Sequence, residues 1–73
     1  MKPSIGAVLF HREGSNPYHY DPENDYSIGD KRASALRTYR DTGTLPKGIV
    51  VWDDTNRTPI TSPDQIDWSG MRK

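Results

Sequence analysis

The sequence predicts one small α+β domain, with a two- to three-stranded sheet, one main helix, a long N-terminal loop and a short C-terminal helix. Two apolar runs, residues 5–10 and 49–52, have the length and β-branched content of buried strands. Between them, apolar residues recur at helical spacing ahead of Gly43, a residue suited to ending a helix. Residues 15–27 are rich in turn formers and form the loop.

The composition supports a folded domain with a modest core. Ile, Leu, Val and Phe number 12 of the 73 residues, which is below the roughly 20% at which disorder becomes a serious possibility. The formal net charge is zero, however, and the apolar residues are grouped into runs. The absence of cysteine excludes disulfides and zinc–thiolate sites, so stability must come from the core or from a partner.

The N-terminal residues predict neither secretion nor membrane insertion. The apolar run at residues 5–10 is too short to span a bilayer, and no small-residue cleavage site follows it. A chain without cysteine also fits a reducing compartment. We therefore expect the protein to act in the cytoplasm, without a membrane contact.

The first half of the chain predicts a strand, a loop and a helix. The uninterrupted apolar character of residues 5–10 indicates a strand covered on both faces. Loops as long as residues 15–27 are often functional. Ser27 or Asp30 is placed to cap the helix that follows. A step of about 100° per residue then puts one apolar face on the helix, made of Ile28, Ala35, Leu36 and Tyr39.

The second half predicts a hairpin and a short helix. The strand at 49–52 should turn through residues 53–57 into a weak strand at 58–61, which Pro59 restricts to a sheet edge. Ser62 then begins a short helix, because proline and glutamine follow it in a capping-box pattern. Gly70 stops this helix within two turns, so we expect its anchors to be Ile66 and Trp68.

No set of residues predicts catalysis, a metal or a cofactor. Asp53 and Asp54 end a strand, where metal-binding carboxylates often occur, but a hairpin turn explains them better. Acidic residues alternate at 21, 23 and 25, yet a calcium loop would need glycine and glutamate where Tyr26 and Arg32 stand. The two histidines, at positions 11 and 19, fit no metal or triad spacing. We expect a protein that is not an enzyme.

Two groups of residues are candidates for binding a macromolecule. Charges are segregated, with acidic residues at 21–30 followed by a basic group that includes Arg32, Arg37, Arg40 and Lys47. This basic helix edge suits phosphates or carboxylates; the alternative is solvated charge, with Arg37 and Asp41 paired. Loop tyrosines form the second group, Tyr18, Tyr20 and Tyr26, and they either contact a partner or cover an undersized core.

Three stretches, residues 5–10, 35–40 and 48–54, carry a resemblance that extends over the whole chain. The chain resembles the small phage-encoded inhibitors and antitermination factors that act on host bacterial RNA polymerase. The resemblance implies a protein that binds the N-terminal end of the polymerase β′ subunit. We expect this protein to be a monomer in the host cytoplasm. It also implies hindered promoter engagement by the sigma-containing enzyme and assisted passage of terminators. It supplies no motif from which individual residues could be transferred.

Three hypotheses of function therefore stand. The first is a protein-binding regulator of host RNA polymerase, possessing no catalytic residues or cofactor. The second is a sequence-tolerant nucleic-acid binder that uses the basic helix edge, although the acidic residues before the helix would repel phosphates. The third is a small metal-dependent hydrolase that uses Asp53 and Asp54.

Overall fold

The computed structural model describes residues 1–71, and its centre is a three-stranded antiparallel sheet in the order β1-β2-β3. Strand β1 spans Val8–Arg12, β2 spans Ile49–Asp53 and β3 spans Thr58–Ile60. Helix α1 spans Gly29–Thr42 and packs on one face of the sheet. The predicted α+β class and the order of its main elements are confirmed.

The core lies between α1 and this inner face of the sheet. Side chains alternate across a strand, so the inner face carries every second residue of each strand. Buried residues from the sheet, from α1 and from the C-terminal segment form the main cluster: Val8, Leu36, Tyr39, Val51, Ile60 and Ile66. A second cluster beside it joins Tyr26, Ala35 and Ile49. Burial of these apolar groups is the main force that holds the domain together.

The first strand begins later than predicted. Residues Ile5–Ala7 form a 3-10 turn, closed by a 2.9 Å hydrogen bond from the Ala7 N–H to the Ser4 carbonyl. The strand then runs on to Arg12, beyond the apolar run. Its register explains the shift, because Val8 pairs with Asp53, the last residue of β2. The apolar run is therefore divided between a turn and a strand.

Helix α1 ends as predicted and begins differently. Gly43 adopts a left-handed conformation with φ of 73°, and its N–H bonds the Tyr39 carbonyl. At the other end neither predicted cap is used: the helix begins at Gly29, and the Ser27 hydroxyl donates to Asp25 at 2.6 Å. Ile28 is 79% exposed, so its placement in the core was wrong. It precedes the first helical turn, where helical periodicity does not apply.

The C-terminal capping box is present, but the predicted helix is a single 3-10 turn, Pro63–Gln65. The chain is extended again at Ile66 because the next residue pairs with the N-terminal segment. The Asp67 N–H donates to the Pro3 carbonyl at 2.8 Å, and Asp67 also forms a parallel bridge with Ser4. The two predicted anchors are confirmed, with Ile66 only 2% exposed and Trp68 packed against the core.

Strand β3 is an edge strand, as Pro59 predicted. The residues on either side of Pro59, Thr58 and Ile60, pair with Asp53 and Val51 of β2. Hydrogen-bonded pairs alternate along an antiparallel ladder. Pro59 therefore occupies a position whose backbone faces away from β2, where its missing N–H costs no ladder hydrogen bond.

Candidate partner-binding surface

The face of the sheet opposite α1 carries apolar side chains that the core does not use. This outer face consists of Leu9, His11, Val50, Trp52 and Pro59, which are half-buried except for the exposed Pro59. The prediction that the first strand is covered on both faces was therefore wrong. Uninterrupted apolar runs concealed the alternation, since both faces carry apolar residues. The sequence did not reveal this outer face.

Tyr18 lies over this outer face and is held there by three neighbours. Its hydroxyl accepts a hydrogen bond from the Trp52 Nε1 and donates one to Asp54 Oδ1, each 2.9 Å long. The two aromatic rings meet edge to face, with centroids 6.4 Å apart. The Arg57 guanidinium lies 5.9 Å from the Tyr18 ring centroid. Tyr18 nevertheless remains 51% exposed, which makes it a fixed aromatic group on the surface.

The other two loop tyrosines differ in their surroundings. Tyr26 is 8% exposed and packs on Phe10, with ring centroids 5.2 Å apart. Tyr26 therefore covers the core, which is one of the two roles that the sequence predicted for the loop tyrosines. Tyr20 is 62% exposed. The structure thus leaves Tyr18 and Tyr20 as the loop tyrosines available to a partner.

The loop is ordered by its own polar contacts. Asp21 forms an ion pair with Arg12 at 3.2 Å, which ties the middle of the loop to the end of β1. The same carboxylate accepts hydrogen bonds from the Asn24 side chain and from the Glu23 N–H. The Asn24 contact is the main reason that the pKa of Asp21 is lowered, against a smaller opposing effect of burial. The acidic residues are therefore partly used to shape the loop.

Arg32 is occupied by the fold. Its guanidinium donates to the carbonyls of Val8 at 2.9 Å, Ile5 at 2.6 Å and Tyr26 at 3.4 Å. Burial lowers the pKa of this half-buried group, although a guanidinium stays charged in proteins. Three members of the predicted basic group therefore remain outside these backbone contacts: Arg37, Arg40 and Lys47.

The remaining basic helix edge is partly neutralised. Arg40 and Asp41 form an ion pair, with Nε and Oδ1 separated by 2.8 Å. This contact raises the pKa of Arg40 and lowers that of Asp41. The predicted pairing of Asp41 with Arg37 is replaced by this contact with its nearer neighbour. Arg37 and Lys47 are exposed, and neither forms an ion pair with any of residues 1–71.

The two aspartates after β2 organise the hairpin. Buried Asp53 accepts hydrogen bonds from the Thr55 N–H at 2.8 Å, and from the N–H and side-chain amide of Asn56 at 3.1 and 2.7 Å. The prediction of a hairpin turn is confirmed, and Asp54 is the acceptor for Tyr18. Residues 1–71 contain no group of three His, Asp or Glu side chains that could hold a metal ion. No helix in the same range is long and apolar enough to cross a membrane.

Asp53 should make stability depend on pH. Burial raises its pKa, but the hydrogen bonds from Asn56 and Thr55 outweigh burial and hold the pKa below its usual value of about 3.9. A carboxyl group whose pKa is lowered by folding stabilises the folded protein at pH values above its usual pKa. This contribution is lost as the pH falls through the folded-state pKa. We expect Asp53→Asn to be less stable near neutral pH, and the difference from the unaltered protein to shrink below about pH 4.

Urea unfolding of both proteins at several pH values would measure this difference. Asp21, Asp25, Asp41 and Asp67 also have lowered pKa values, but they are common to both proteins and cancel in the comparison. A difference that stays constant from neutral to acidic pH would contradict the role given to the Asp53 charge.

Comparison of the chain with protein-family models, with curated proteins and with solved structures found no match. The sequence did not reveal Trp52 and Asp54 as supports of Tyr18. The run at residues 49–52 is apolar throughout, so the sequence contained no signal that Trp52 lies on the opposite face from Val51.

Proposed function

We propose that this protein is a regulator that binds host bacterial RNA polymerase in the cytoplasm through the N-terminal region of the β′ subunit. It hinders promoter engagement by the sigma-containing enzyme and promotes antitermination. The resemblance in residues 5–10, 35–40 and 48–54 supports the choice of polymerase. The observation that supports protein binding is the exposed Tyr18, fixed over the outer face by Trp52 and Asp54.

A side chain that is already fixed binds a partner at lower cost than a flexible one. Tyrosine, tryptophan and arginine dominate the energetics of protein interfaces. Each flexible side chain immobilised in a complex costs about 0.5–1.5 kcal/mol. Tyr18 is held by Trp52 and Asp54 before any partner arrives, so much of this cost is avoided. The half-buried residues around it provide apolar area that a partner can cover.

Affinity capture from a bacterial lysate tests the proposal. The tagged protein should recover polymerase subunits, and in a purified transcription assay it should lower initiation and raise terminator passage. Tyr18→Ala should reduce capture by about tenfold or more, since central aromatic residues carry large shares of binding energy. Ile28→Ala is the control, because Ile28 is exposed and precedes the helix. Failure of the unaltered protein to recover any polymerase subunit would refute the polymerase proposal.

The nucleic-acid alternative loses support from the contacts of the basic residues. Arg32 donates to backbone carbonyls and Arg40 pairs with Asp41, so two of the four predicted phosphate contacts are already engaged. Phosphate binding weakens steeply as salt rises, so low salt is the most favourable condition for detecting it. We expect no mobility shift of DNA or RNA at low salt. A shift that Arg37→Glu abolishes would instead favour the nucleic-acid hypothesis.

A further inference from the structure

A cleft of about 720 Å³ lies between β1 and the long loop, and Arg32 of α1 is also part of its lining. Phe10 and Arg12 are on its strand side, and the loop wall includes Tyr20, Glu23 and Asp25. Its volume is in the range of sites that hold ligands in proteins, about 300–1,000 Å³. Three contacts fix the loop beside it, those of Tyr18, Asp21 and Tyr26 described above.

The strand side of this cleft is the free edge of the sheet. The Asp54 N–H donates to the Ala7 carbonyl, and the Glu13 N–H donates to the Gly48 carbonyl. Hydrogen-bonded positions alternate in an antiparallel ladder, so within β1 it is Leu9 and His11 that bond to β2. The backbones of the three remaining residues of β1 therefore point away from β2: Val8, Phe10 and Arg12.

Three of these six outward backbone groups are already satisfied. The Val8 N–H donates to the Ile5 carbonyl and the Val8 carbonyl accepts from Arg32. The Arg12 carbonyl accepts from the Ser15 N–H and hydroxyl. No hydrogen bond from within residues 1–71 reaches the N–H or carbonyl of Phe10, or the N–H of Arg12. The other edge of the sheet offers no equivalent, because its outward position is Pro59.

The N–H and carbonyl of Phe10 and the N–H of Arg12 are spaced so that one residue of an added strand can bond to two of them. An antiparallel segment can exchange two hydrogen bonds with Phe10, and a parallel segment can bond the Phe10 carbonyl and the Arg12 N–H. Backbone pairing of this kind is how extended peptides add to an exposed sheet edge. About eight extended residues, at roughly 3.3 Å each, would cross a molecule whose longest dimension is 28 Å.

The charges of the cleft indicate the chemistry of such a peptide. Three carboxylates and two guanidinium groups line the cleft. Arg12 is paired with Asp21, whereas Arg32 keeps its charge but is half-buried and donates to backbone carbonyls. Glu23 and Asp25 therefore remain as carboxylates on the loop wall without an ion pair among residues 1–71. Basic side chains complement this wall, and acidic ones would be repelled by it.

We infer that this cleft binds an extended basic segment of the partner protein, one residue of which pairs with β1 at Phe10. The inference rests on the proposed function for the identity of the partner, since it places a segment of the polymerase β′ N-terminal region there. The edge pairing supplies affinity through backbone hydrogen bonds, and the loop wall selects for positive charge. The fixed Tyr18 lies beside the same cleft and extends the contact to the outer face.

Amide hydrogen exchange of the ¹⁵N-labelled protein tests the inference, with overlapping synthetic peptides of the β′ N-terminal region as the probe. In the free protein the amides of Leu9 and His11 should be protected, while those of Phe10 and Arg12 exchange fast. A bound peptide should protect Phe10, Arg12 or both. Protection of these two amides in the free protein, or a concentration-dependent self-association that protects them, would overturn the inference.

Charge variants give a second, independent measurement. Glu23→Lys should weaken peptide binding by about tenfold, because it places a like charge against a basic segment. Glu13→Lys is the matched control, since Glu13 is exposed and is not part of the cleft. Equal binding by both variants would show that the loop wall does not select the peptide.

The outcomes separate this inference from the proposed function. If a β′ peptide binds and the amides of Phe10 and Arg12 remain unprotected, binding in the cleft is refuted and the proposal of polymerase binding stands. If no β′ peptide binds, the proposed β′ contact is refuted. Selection from a display library of random short peptides would then show whether the cleft binds extended basic peptides. Selected basic peptides that protect Phe10 or Arg12 would support it, whereas no such peptides, or selection of acidic ones, would refute it.

Discussion

Replacing Ile66 with alanine should destabilise the protein more than the loss of any single polar contact in the fold. Truncation of a buried isoleucine typically costs about 2–5 kcal/mol, because apolar contacts are lost and a cavity remains. Ile66 is 2% exposed and joins the C-terminal segment to the core formed by the sheet and α1. Small domains are marginally stable, so this loss should leave a substantial unfolded population near room temperature.

Urea unfolding followed by tryptophan fluorescence would measure the effect. Ile28→Ala is a closely matched control, because the same side chain is removed from a position that is 79% exposed. We expect it to change the free energy of unfolding by less than about 0.5 kcal/mol. Equal losses for the two variants would mean that the C-terminal segment is not part of the cooperative core.

Replacing Arg32 with methionine should have the second largest effect, and the effect should be on stability. Hydrogen bonds to a charged group contribute about 1.5–3 kcal/mol, and a buried acceptor left without a donor adds a penalty. Arg32 donates to the carbonyls of Ile5 and Val8, so it joins the N-terminal turn to α1. Without Arg32 the Val8 carbonyl loses its donor, whereas the Ile5 carbonyl keeps the Val8 N–H. We expect a loss of about 2–3 kcal/mol. Lysine should recover only part of it, because an ammonium lacks the planar fork of a guanidinium.

Arg37→Met provides the comparison within the same helix. Arg37 is exposed, and its truncation should leave the free energy of unfolding within about 0.5 kcal/mol of the original. Thermal or urea unfolding of both variants would separate the two arginines. If Arg32→Met unfolds like Arg37→Met, the three carbonyl contacts do not stabilise the fold.

Local chemistry made several elements predictable. Gly43 ends α1 because glycine adopts the left-handed conformation without steric cost. Ser62 begins its turn because the serine, proline and glutamine interact only with near neighbours. Asp53 forms the hairpin turn for the same reason. Each depends on residues a few positions apart, and no knowledge of the tertiary fold is needed to recognise it.

Contacts between distant residues account for the predictions that failed. The strand at residues 5–10 was misplaced because the register with β2, about forty positions away, decides where pairing begins. The predicted C-terminal helix became one turn because Asp67 pairs with the N-terminal segment. In each case hydrogen bonding to a remote strand or segment outweighed a local preference for another conformation.

The candidate site also has a part that the sequence predicted and a part that contacts between distant residues decided. The sequence pointed to the basic residues and the tyrosines as residue types suited to binding. The roles of Arg32 and Tyr18 depended on neighbours far away in the chain: Val8, 24 positions from Arg32, and Asp54, 36 positions from Tyr18. Only the folded chain distinguishes an arginine that bonds backbone carbonyls from one that is exposed.

By itself the sequence determined the α+β class, the main helix with its end at Gly43, the hairpin and the edge position of β3. These follow from periodicity, turn chemistry and the missing N–H of proline, which act over a few residues. Only the tertiary structure decided that one sheet face lies outside the core, that Tyr18 is fixed over it and that Phe10 faces a cleft. Those features arise from strand register and side-chain packing, which join residues far apart in the chain.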